Sequence, residues 1–178
     1  MKLLLKKITI ATAIGGAGII AIGALCYAIG ARVNTSKSIP LGLYWTSDQP
    51  AEKGAYVLFC PPQVSVIAEA KHRGYLASGF CPGHYGYMMK KILAAKGDIV
   101  TISDAGVRVN GVLLPFSALL VKDRAGRPLP RYQSTNFVIN NADVLLMSDV
   151  SGTSFDARYF GPVNRSHIKT VIVPLVTW

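Results

Sequence analysis

A long uncharged segment near the N-terminus constrains this chain more than any other feature. Residues 8–30 form a run of 23 residues without a charge, of which 16 are hydrophobic and the rest are threonine or glycine. At a rise of about 1.5 Å per residue, a helix of this length spans about 34 Å, more than the roughly 30 Å hydrocarbon core of a bilayer. The segment therefore predicts a transmembrane helix.

The charges in front of this segment predict its orientation. Lys2, Lys6 and Lys7 precede it without an acidic residue, so the positive-inside rule places residues 1–7 in the cytoplasm and residues 31–178 outside. The alternative is a cleaved secretory signal, because small residues stand near the end of the segment. The hydrophobic region of such a signal is usually about 7 to 15 residues long, so the length favours a retained anchor.

The part of the chain after the segment has the composition of one globular domain. The whole chain of 178 residues is 51% hydrophobic, whereas residues 31–178 are about 47% hydrophobic, an ordinary value. Residues 31–178 contain 16 basic and nine acidic residues, a net charge of +7. Beside an anionic bilayer, this charge favours contact with lipid head groups over binding to nucleic acid.

Short apolar runs separated by proline and glycine predict a mainly β domain. The runs are residues 55–59, 88–94, 99–102, 107–109, 112–114, 137–139, 144–147 and 170–173. Asn110 and Gly111 stand between two of these runs, a pair typical of a two-residue β-hairpin turn. One helix is predicted from Pro61 and Pro62 to about Arg73, and residues 124–131 are predicted to form an exposed loop.

The cysteines allow one disulfide. Cys26 lies inside the predicted anchor, whereas Cys60 and Cys81 each stand between a phenylalanine and a proline on either side of the predicted helix. In an oxidising compartment a bond between Cys60 and Cys81 would stabilise the fold by about 3 kcal/mol; the alternative is two independent buried thiols. These two cysteines and the three histidines lack the close spacing of a metal site, and we expect neither a metal nor another cofactor.

Three polar segments contain the residues that could perform chemistry. They are residues 34–45, directly after the anchor, residues 87–98, and residues 147–161. A serine such as Ser38 attacks a carbonyl only if a base takes its proton, and the three histidines stand in no recognisable triad setting. A lysine kept neutral by an apolar environment can replace histidine. Lys90 and Lys91 face opposite sides of a strand, so only one of them can be buried as the base.

Together these segments resemble the conserved boxes of the type I signal peptidases, which use a Ser/Lys dyad. The matching patterns are Ser-x-Pro after an N-terminal anchor, Lys-Lys followed by Gly-Asp, and Ser-x-Asp-x-Arg-x-x-Gly. Within this group the sequence more nearly resembles the TraF family of conjugative-transfer peptidases, whose serine lies in a similar Ser-x-Pro-x-Gly-x-Tyr setting. The resemblance covers the anchor and nearly all of the outer domain, and implies a mainly β catalytic domain of the signal peptidase and LexA-like type.

The resemblance assigns roles position by position. It makes Ser38 the nucleophile and Lys90 the general base, and Lys91 takes the place of an arginine. Ser154 matches a serine that hydrogen-bonds the lysine amine, and Ser36 matches a serine that helps the amide of the nucleophile to form the oxyanion hole.

Two further residues match the signal peptidase pattern, and several others differ from it. Asp156 and Arg158 match the acidic and basic residues that support the site, although taken alone they would be read as an exposed ion pair. Only Ile39 separates Ser38 from Pro40, where signal peptidases have two residues, and Lys96 replaces a proline. These departures favour a specialised transfer peptidase.

The resemblance implies a membrane-anchored serine endopeptidase of the inner (cytoplasmic) membrane with its catalytic domain in the periplasm. Ser38 lies eight residues past Gly30, so an extended link places it at most about 28 Å from the end of the anchor. The expected substrate is a membrane-inserted pilin precursor of a conjugation or type IV secretion system, which is hydrolysed or cyclised. The alternatives are a general signal peptidase acting on other exported proteins, and a non-catalytic scaffold of a secretion complex.

Overall fold

The N-terminal helix forms a structural unit of its own. A computed structural model describes residues 2–178 of the chain, so Met1 of the predicted cytoplasmic tail lies outside the described residues. The chain divides into two compact units, Met1–Arg32 and Val33–Trp178. Helix α1 spans Lys2–Ala28, and its part Leu5–Ala28 is long and apolar enough to cross a membrane, with a mean hydropathy of 2.0.

The second unit is mainly β, as predicted. Its strands are β1 (Ala31–Asn34, which begins before the boundary), β2 (Gly42–Ser47), β3 (Tyr56–Phe59), β4 (Ser78–Cys81), β5 (Met88–Ala94), β6 (Ile99–Ser103), β7 (Gly106–Val109), β8 (Val112–Leu113), β9 (Ser134–Val138), β10 (Asp143–Met147), β11 (Val163–Asn164) and β12 (Ile168–Thr177). Its α-helices are α2 (Ser65–His72) and α3 (Ala157–Phe160), and 3₁₀ turns occupy Pro82–His84 and Arg165–His167.

Two sheets organise this unit. The larger sheet has seven strands in the order β1-β2-β12-β3-β5-β10-β11, and the smaller has four in the order β8-β7-β6-β9. Val100 and Ile102 of β6 are buried together with Leu145 and Met147 of β10 in one apolar cluster, so a common core joins the two sheets. Burying such a cluster is the main favourable term in folding. Strand β5 lies inside the larger sheet, between β3 and β10.

The predicted hairpin is present in the smaller sheet. Strands β7 and β8 pair with Val109 opposite Val112, which leaves Asn110 and Gly111 as the two turn residues. Both have positive φ, 53° and 81°, as a type I′ turn requires. The Asn110 side chain also accepts a hydrogen bond from the Ile99 backbone N–H at 2.8 Å, so this residue joins the turn to β6.

The predicted helix starts later than expected. Helix α2 begins at Ser65 instead of Pro61, after an extended Val64. A residue before proline is disfavoured in the helical conformation, and Pro61 precedes Pro62. The Cys60 N–H is also bonded to the carbonyl of His167 at 3.0 Å, which continues the sheet pairing of β3 beyond Phe59.

Other strand boundaries differ from the predicted ones because they depend on pairing with strands that are distant in the sequence. Strands β1, β2, β4 and β11 are unpredicted, and β12 continues past Pro174 to Thr177. Strand β12 pairs with β3 only as far as Ile172, whereas its pairing with β2 continues to Thr177. The missing N–H of Pro174 is tolerated because this end of β12 has a partner strand on one side only.

A disulfide closes the segment that contains α2. Cys60 and Cys81 are bonded, with a sequence separation of 21 residues. Both cysteines are buried with Ile67 and Ala70 of α2 and with Tyr85. The bond therefore ties α2 and β4 to the end of β3.

We predict that reduction of this disulfide destabilises the protein. Replacing both Cys60 and Cys81 with alanine should lower the free energy of unfolding by about 3 kcal/mol, because it releases a loop of about 20 residues in the unfolded chain. The measurement is denaturant unfolding of the full chain in detergent micelles, with and without reductant. In the control Cys26→Ala, sensitivity to reductant should remain, and equal stability of the oxidised and reduced wild type would contradict the prediction.

Candidate active site

Ser38 lies in the loop that connects β1 to β2. Asn34, at the end of β1, is buried, with 3% of its surface exposed. Its Nδ2 lies 2.8 Å from the carbonyl oxygen of Ser36 and 3.0 Å from those of Ile39 and Pro40. The Tyr44 hydroxyl donates to the same Pro40 carbonyl at 2.7 Å. The Asn34 and Tyr44 side chains thus hold the backbone on both sides of Ser38.

Lys90 lies in the middle of the larger sheet, where alternation along β5 directs it inward. It is opposite Val57 of β3, and only 2% of its surface is exposed. Its neighbour Lys91 points to the other face, where its Nζ donates to Asp149 at 2.7 Å and lies over the ring of Tyr56. The two adjacent lysines therefore have different environments, one buried and one partly exposed and paired with a carboxylate.

Two serine hydroxyl groups converge on the amine of Lys90. Its Nζ lies 2.5 Å from Ser38 Oγ and 2.7 Å from Ser154 Oγ, and the two hydroxyl oxygens are 3.4 Å apart. A neutral lysine amine has one lone pair and two N–H groups. If an N–H donates to Ser154, the lone pair can accept the proton of the Ser38 hydroxyl.

The surroundings of Lys90 favour its neutral form. Burial lowers the pKa of Lys90 to about 8, because the ammonium ion is poorly solvated there. The charge of Asp156 raises this pKa and opposes the effect, and the charge of Arg158 lowers it further. A neutral amine is therefore accessible near physiological pH, as a general base requires.

Asp156 and Arg158 form a buried ion pair beside this cluster, not an exposed one. Arg158 Nε lies 2.8 Å from Asp156 Oδ1, and its second guanidinium nitrogen lies 2.9 Å from Oδ2; both side chains are 0% exposed. Arg158 also donates to the carbonyl of Ser154 at 2.9 Å. Asp156 accepts hydrogen bonds from the backbone N–H groups of Arg158 and Ser148. The pair therefore fixes the backbone that carries Ser154.

Ser36 lies near Ser38, but its hydroxyl is directed at Asn34. Ser36 Oγ donates to Asn34 Oδ1 at 3.0 Å, and the Ser36 backbone N–H donates to the same oxygen at 3.1 Å. Within residues 2–178 the backbone N–H of Ser38 donates to no acceptor, so it is free to bind a substrate oxygen. The donor capacity beside Ser38 thus comes from its own backbone, and Ser36 would contribute only after rotation of its hydroxyl.

Two clefts meet at Ser38. The larger has a volume of about 670 Å³, and the smaller, which also contains Lys90, about 330 Å³. Tyr75, Phe155, Ser36 and Ser38 line both clefts. An extended polypeptide could therefore approach Ser38 from either side.

The predicted site residues divide into two groups in space. Lys90 contacts Ser38 and Ser154 directly, Asp156 and Arg158 support the Ser154 loop, and Ser36 faces Asn34. Cys60 and Cys81 are bonded to each other and belong to the cluster around α2. Sequence analysis placed Asn34 and Tyr44 in the first polar segment, and Tyr44 in the Ser-x-Pro-x-Gly-x-Tyr pattern, but assigned neither residue a role. The signal for Asn34 was a polar residue with both donors and acceptors directly before a loop.

Comparisons with known proteins agree on one family. The sequence model described as "Signal peptidase, peptidase S26" matches residues 4–177. The chain is 65% identical over 173 residues to a plasmid transfer protein TraF of Escherichia coli, which covers 97% of this chain and 98% of that protein. It is 36% identical over 151 residues to a probable conjugal transfer protein TraF of Sinorhizobium fredii, covering 84% of this chain and 78% of that protein.

Among solved structures, the chain has a likeness to a signal peptidase I from Enterococcus faecalis V583. The likeness has a TM-score of 0.42 and 16% sequence identity, and covers 71% of this chain and 100% of that chain.

We predict that Asn34 stabilises the Ser38 loop as a hydrogen-bond donor. Asn34→Ala should lower the free energy of unfolding by about 1 to 3 kcal/mol, because it leaves the carbonyl groups of Ser36 and Ile39 without a donor. Asn34→Asp should be at least as damaging, since it presents an acceptor to these carbonyls. The measurement is denaturant unfolding of the full chain in micelles, and the matched control is Asn141→Ala, an exposed position that should change little. Stability of Asn34→Asp equal to that of wild type would contradict the prediction.

Proposed function

The chain belongs to the signal peptidase family, peptidase S26, and we propose that it is a membrane-anchored serine endopeptidase with Ser38 as nucleophile and Lys90 as general base. The observation that carries the proposal is the 2.5 Å contact between Lys90 Nζ and Ser38 Oγ at a buried lysine. A lysine with these surroundings has little structural reason to be buried, because an apolar residue would fill the same space without the cost of desolvation.

In the acylation step, Lys90 takes the proton of the Ser38 hydroxyl while Oγ forms a bond to the carbonyl carbon of the scissile peptide. The carbonyl oxygen becomes an oxyanion, which the free N–H of Ser38 is available to stabilise. The resulting ammonium group of Lys90 gives its proton to the leaving amine as the C–N bond breaks. The products of this step are an ester on Ser38 and a free amine.

In the second step, another nucleophile replaces Ser38. If water attacks the ester, Lys90 accepts a proton from the water and returns it to Ser38 Oγ, and the product is a carboxylic acid, which ionises by releasing its proton to the solvent. If an amine of the substrate attacks instead, the same proton transfer yields a new peptide bond and a cyclic product. Both outcomes use the same residues, so the position of the incoming amine decides between them.

The supporting residues have distinct roles in this scheme. Ser154 accepts a hydrogen bond from Lys90 and thereby orients the amine lone pair toward Ser38. The Asp156–Arg158 pair keeps the backbone of Ser154 in place, and the negative charge of Asp156 prevents the pKa of Lys90 from falling further. We keep Ser36 as a second oxyanion donor, with the rotation of its hydroxyl as a requirement.

We place the enzyme in the inner (cytoplasmic) membrane, with α1 as a single-pass anchor, residues 1–7 in the cytoplasm and the catalytic unit in the periplasm. The three lysines that precede the uncharged residues 8–30 support this orientation. The Cys60–Cys81 disulfide also supports it, because such bonds persist in the periplasm and are rare in the cytoplasm.

The proposed substrate is a membrane-inserted pilin precursor that a conjugation or type IV secretion system uses. The support is that the relatives are plasmid transfer and conjugal transfer proteins. A general signal peptidase would use the same chemistry on many exported proteins. Cleavage of one precursor encoded with the transfer genes, and not of unrelated exported proteins, would separate the two.

We predict that Ser38→Ala and Lys90→Ala each abolish processing of the precursor, with a loss of at least about 10³-fold in rate, because each removes one member of a coupled pair. The matched controls are Ser166→Ala, an exposed serine away from the loop, and Lys91→Ala, the neighbour on the other face of β5; both should retain activity. The measurement is cleavage of purified precursor in micelles, with labelling of Ser38 by a serine-directed acylating probe. Normal processing by either dyad variant would exclude the proposed mechanism.

We also predict that activity rises with pH. Only the neutral form of Lys90 can accept a proton, and its pKa is about 8, so kcat/KM should increase about tenfold per unit below pH 8 and level off above it. The measurement is the pH profile of cleavage by wild type and by Lys91→Ala, which should share the same inflection. An inflection near 6.5 would instead indicate a histidine base.

A further inference from the structure

The larger of the two clefts at Ser38 has an excess of positive charge that the proposed catalytic mechanism does not use. Four basic side chains line it, and one carboxylate, that of Asp123. The basic residues are Lys37, Lys122, Arg124 and Arg127. Ser38 and Ser154 line the same cleft, so this charge lies along a route to the candidate nucleophile.

The single carboxylate is already neutralised. Asp123 accepts a hydrogen bond from the Tyr75 hydroxyl and one from Arg127 Nε at 2.7 Å. These contacts, the Tyr75 bond first, hold the pKa of Asp123 below its usual range. Within residues 2–178, the side chains of Lys37, Lys122 and Arg124 make no hydrogen bond or ion pair. Three cations of the cleft therefore have no partner.

The loop that carries Lys122 and Arg124 is held by internal hydrogen bonds. Asp123 Oδ1 accepts hydrogen bonds from the backbone N–H groups of Ala125 and Arg127 at 2.9 and 2.8 Å, which closes the turn between them. Lys122 and Pro128 are bridged across its base, and Arg73 of the segment after α2 donates to the Pro128 carbonyl at 2.6 Å. Lys122 and Arg124 are therefore presented on a fixed turn, whereas Lys37 comes from the loop that carries Ser38.

The side of the cleft near Ser38 is aromatic. The ring of Phe155 lies 5.5 Å from that of Tyr75 and stacks on that of Tyr159 at 5.3 Å between centroids, and all three residues line the cleft. The cleft thus offers apolar contacts beside the serine and unpaired cations on the loop. A polypeptide segment with a small or apolar residue at the cleaved bond and a carboxylate a few residues away complements both features.

We propose that this cleft binds the substrate on one side of the scissile bond and selects a carboxylate there, through Lys122 and Arg124 with Lys37 nearer to the serine. The carboxylate belongs to an acidic side chain or to the free C-terminus of the substrate. This proposal rests on the proposed peptidase function of Ser38. A polypeptide is favoured over a lipid head group because the cations line a concave cleft that contains the serine, beside an aromatic surface.

The test uses one fluorogenic peptide with a single scissile bond between small residues. It is prepared with Glu or Gln two residues to either side of the bond, and with a carboxylate or a carboxamide at its C-terminus. At low salt, wild type in neutral micelles should show a kcat/KM about fivefold to tenfold higher for one charged form than for its neutral counterpart. The charged form that is preferred identifies the source of the carboxylate, and added salt should reduce the preference.

The variant Lys122→Ala/Arg124→Ala should lose this preference and have equal kcat/KM for the charged and neutral peptides, and denaturant unfolding that matches wild type shows that it is folded. The control Lys96→Ala/Lys169→Ala removes two exposed lysines outside the cleft and should keep the preference, so a general effect of net charge is separated from a local one. Equal rates for charged and neutral peptides in wild type, or an unchanged preference in the cleft variant, would overturn the proposal.

Two further measurements distinguish this proposal from a failure of the peptidase function and from binding to lipid. Fluorescence anisotropy of the labelled peptides on the Ser38→Ala chain measures binding without turnover, so a binding preference can be read even if wild type cleaves none of them and the peptidase function fails. If the cleft variant differs from wild type only after phosphatidylglycerol is added to the micelles, and equally for all peptides, the cations serve the lipid surface and the proposal is wrong.

Discussion

The candidate site depends on the burial of one lysine amine in the interior of a β-sheet. Lys90 is 2% exposed, and its pKa falls from 10.5 to about 8, which corresponds to about 3 kcal/mol. Below pH 8 this group is protonated in both the native and the unfolded chain, so the native state carries the full penalty. Between about pH 8 and 10.5 the native chain has released the proton that the unfolded chain still holds, and stability rises with pH. The fold tolerates this cost at one position, and the neutral amine that results is what a serine nucleophile needs.

The rest of the site keeps three distant segments around that amine. Ser38 comes from the β1–β2 loop, Lys90 from β5, and Ser154 from the loop before α3. Each loop has its own buried polar anchor, Asn34 in the first and the Asp156–Arg158 pair in the second. Such anchors form several hydrogen bonds each, and losing one partner leaves the others buried without compensation. This is how short loops become as fixed as the strands that they connect.

Prediction from the sequence succeeded where the signal was local. The apolar segment, the Asn110–Gly111 hairpin and most strands of the two sheets follow from hydrophobicity, alternation and turn chemistry within a few residues. It failed where the outcome depended on a partner far away in the chain. Strands β1 and β2 lack a clear pattern of their own and pair within the larger sheet, β12 extends past Pro174 because of its neighbour β2, and α2 starts late because Cys60 continues the sheet. The residues that resemble signal peptidase boxes were identified by position, and the contacts of Lys90 with Ser38 and Ser154 were expected from the resemblance. The hydrogen bonds of Asn34 and the burial of the Asp156–Arg158 pair were not expected.

By itself, the sequence determined the apolar span, its flanking charges, the mainly β character of the remainder and the identity of the polar residues available for chemistry. These properties follow from composition and from contacts between residues close in the chain. The resemblance to signal peptidases pointed to Lys90, but strand alternation by itself does not distinguish Lys90 from Lys91, and only the tertiary structure shows that Lys90 occupies the buried face of β5. The tertiary structure also decided that Asp156 and Arg158 are buried, that Asn34 holds the serine loop, and that unpaired cations line a cleft beside Ser38. Burial and pairing are properties of segments brought together across more than 100 residues, such as Ser38 and Ser154, and a linear pattern does not contain them.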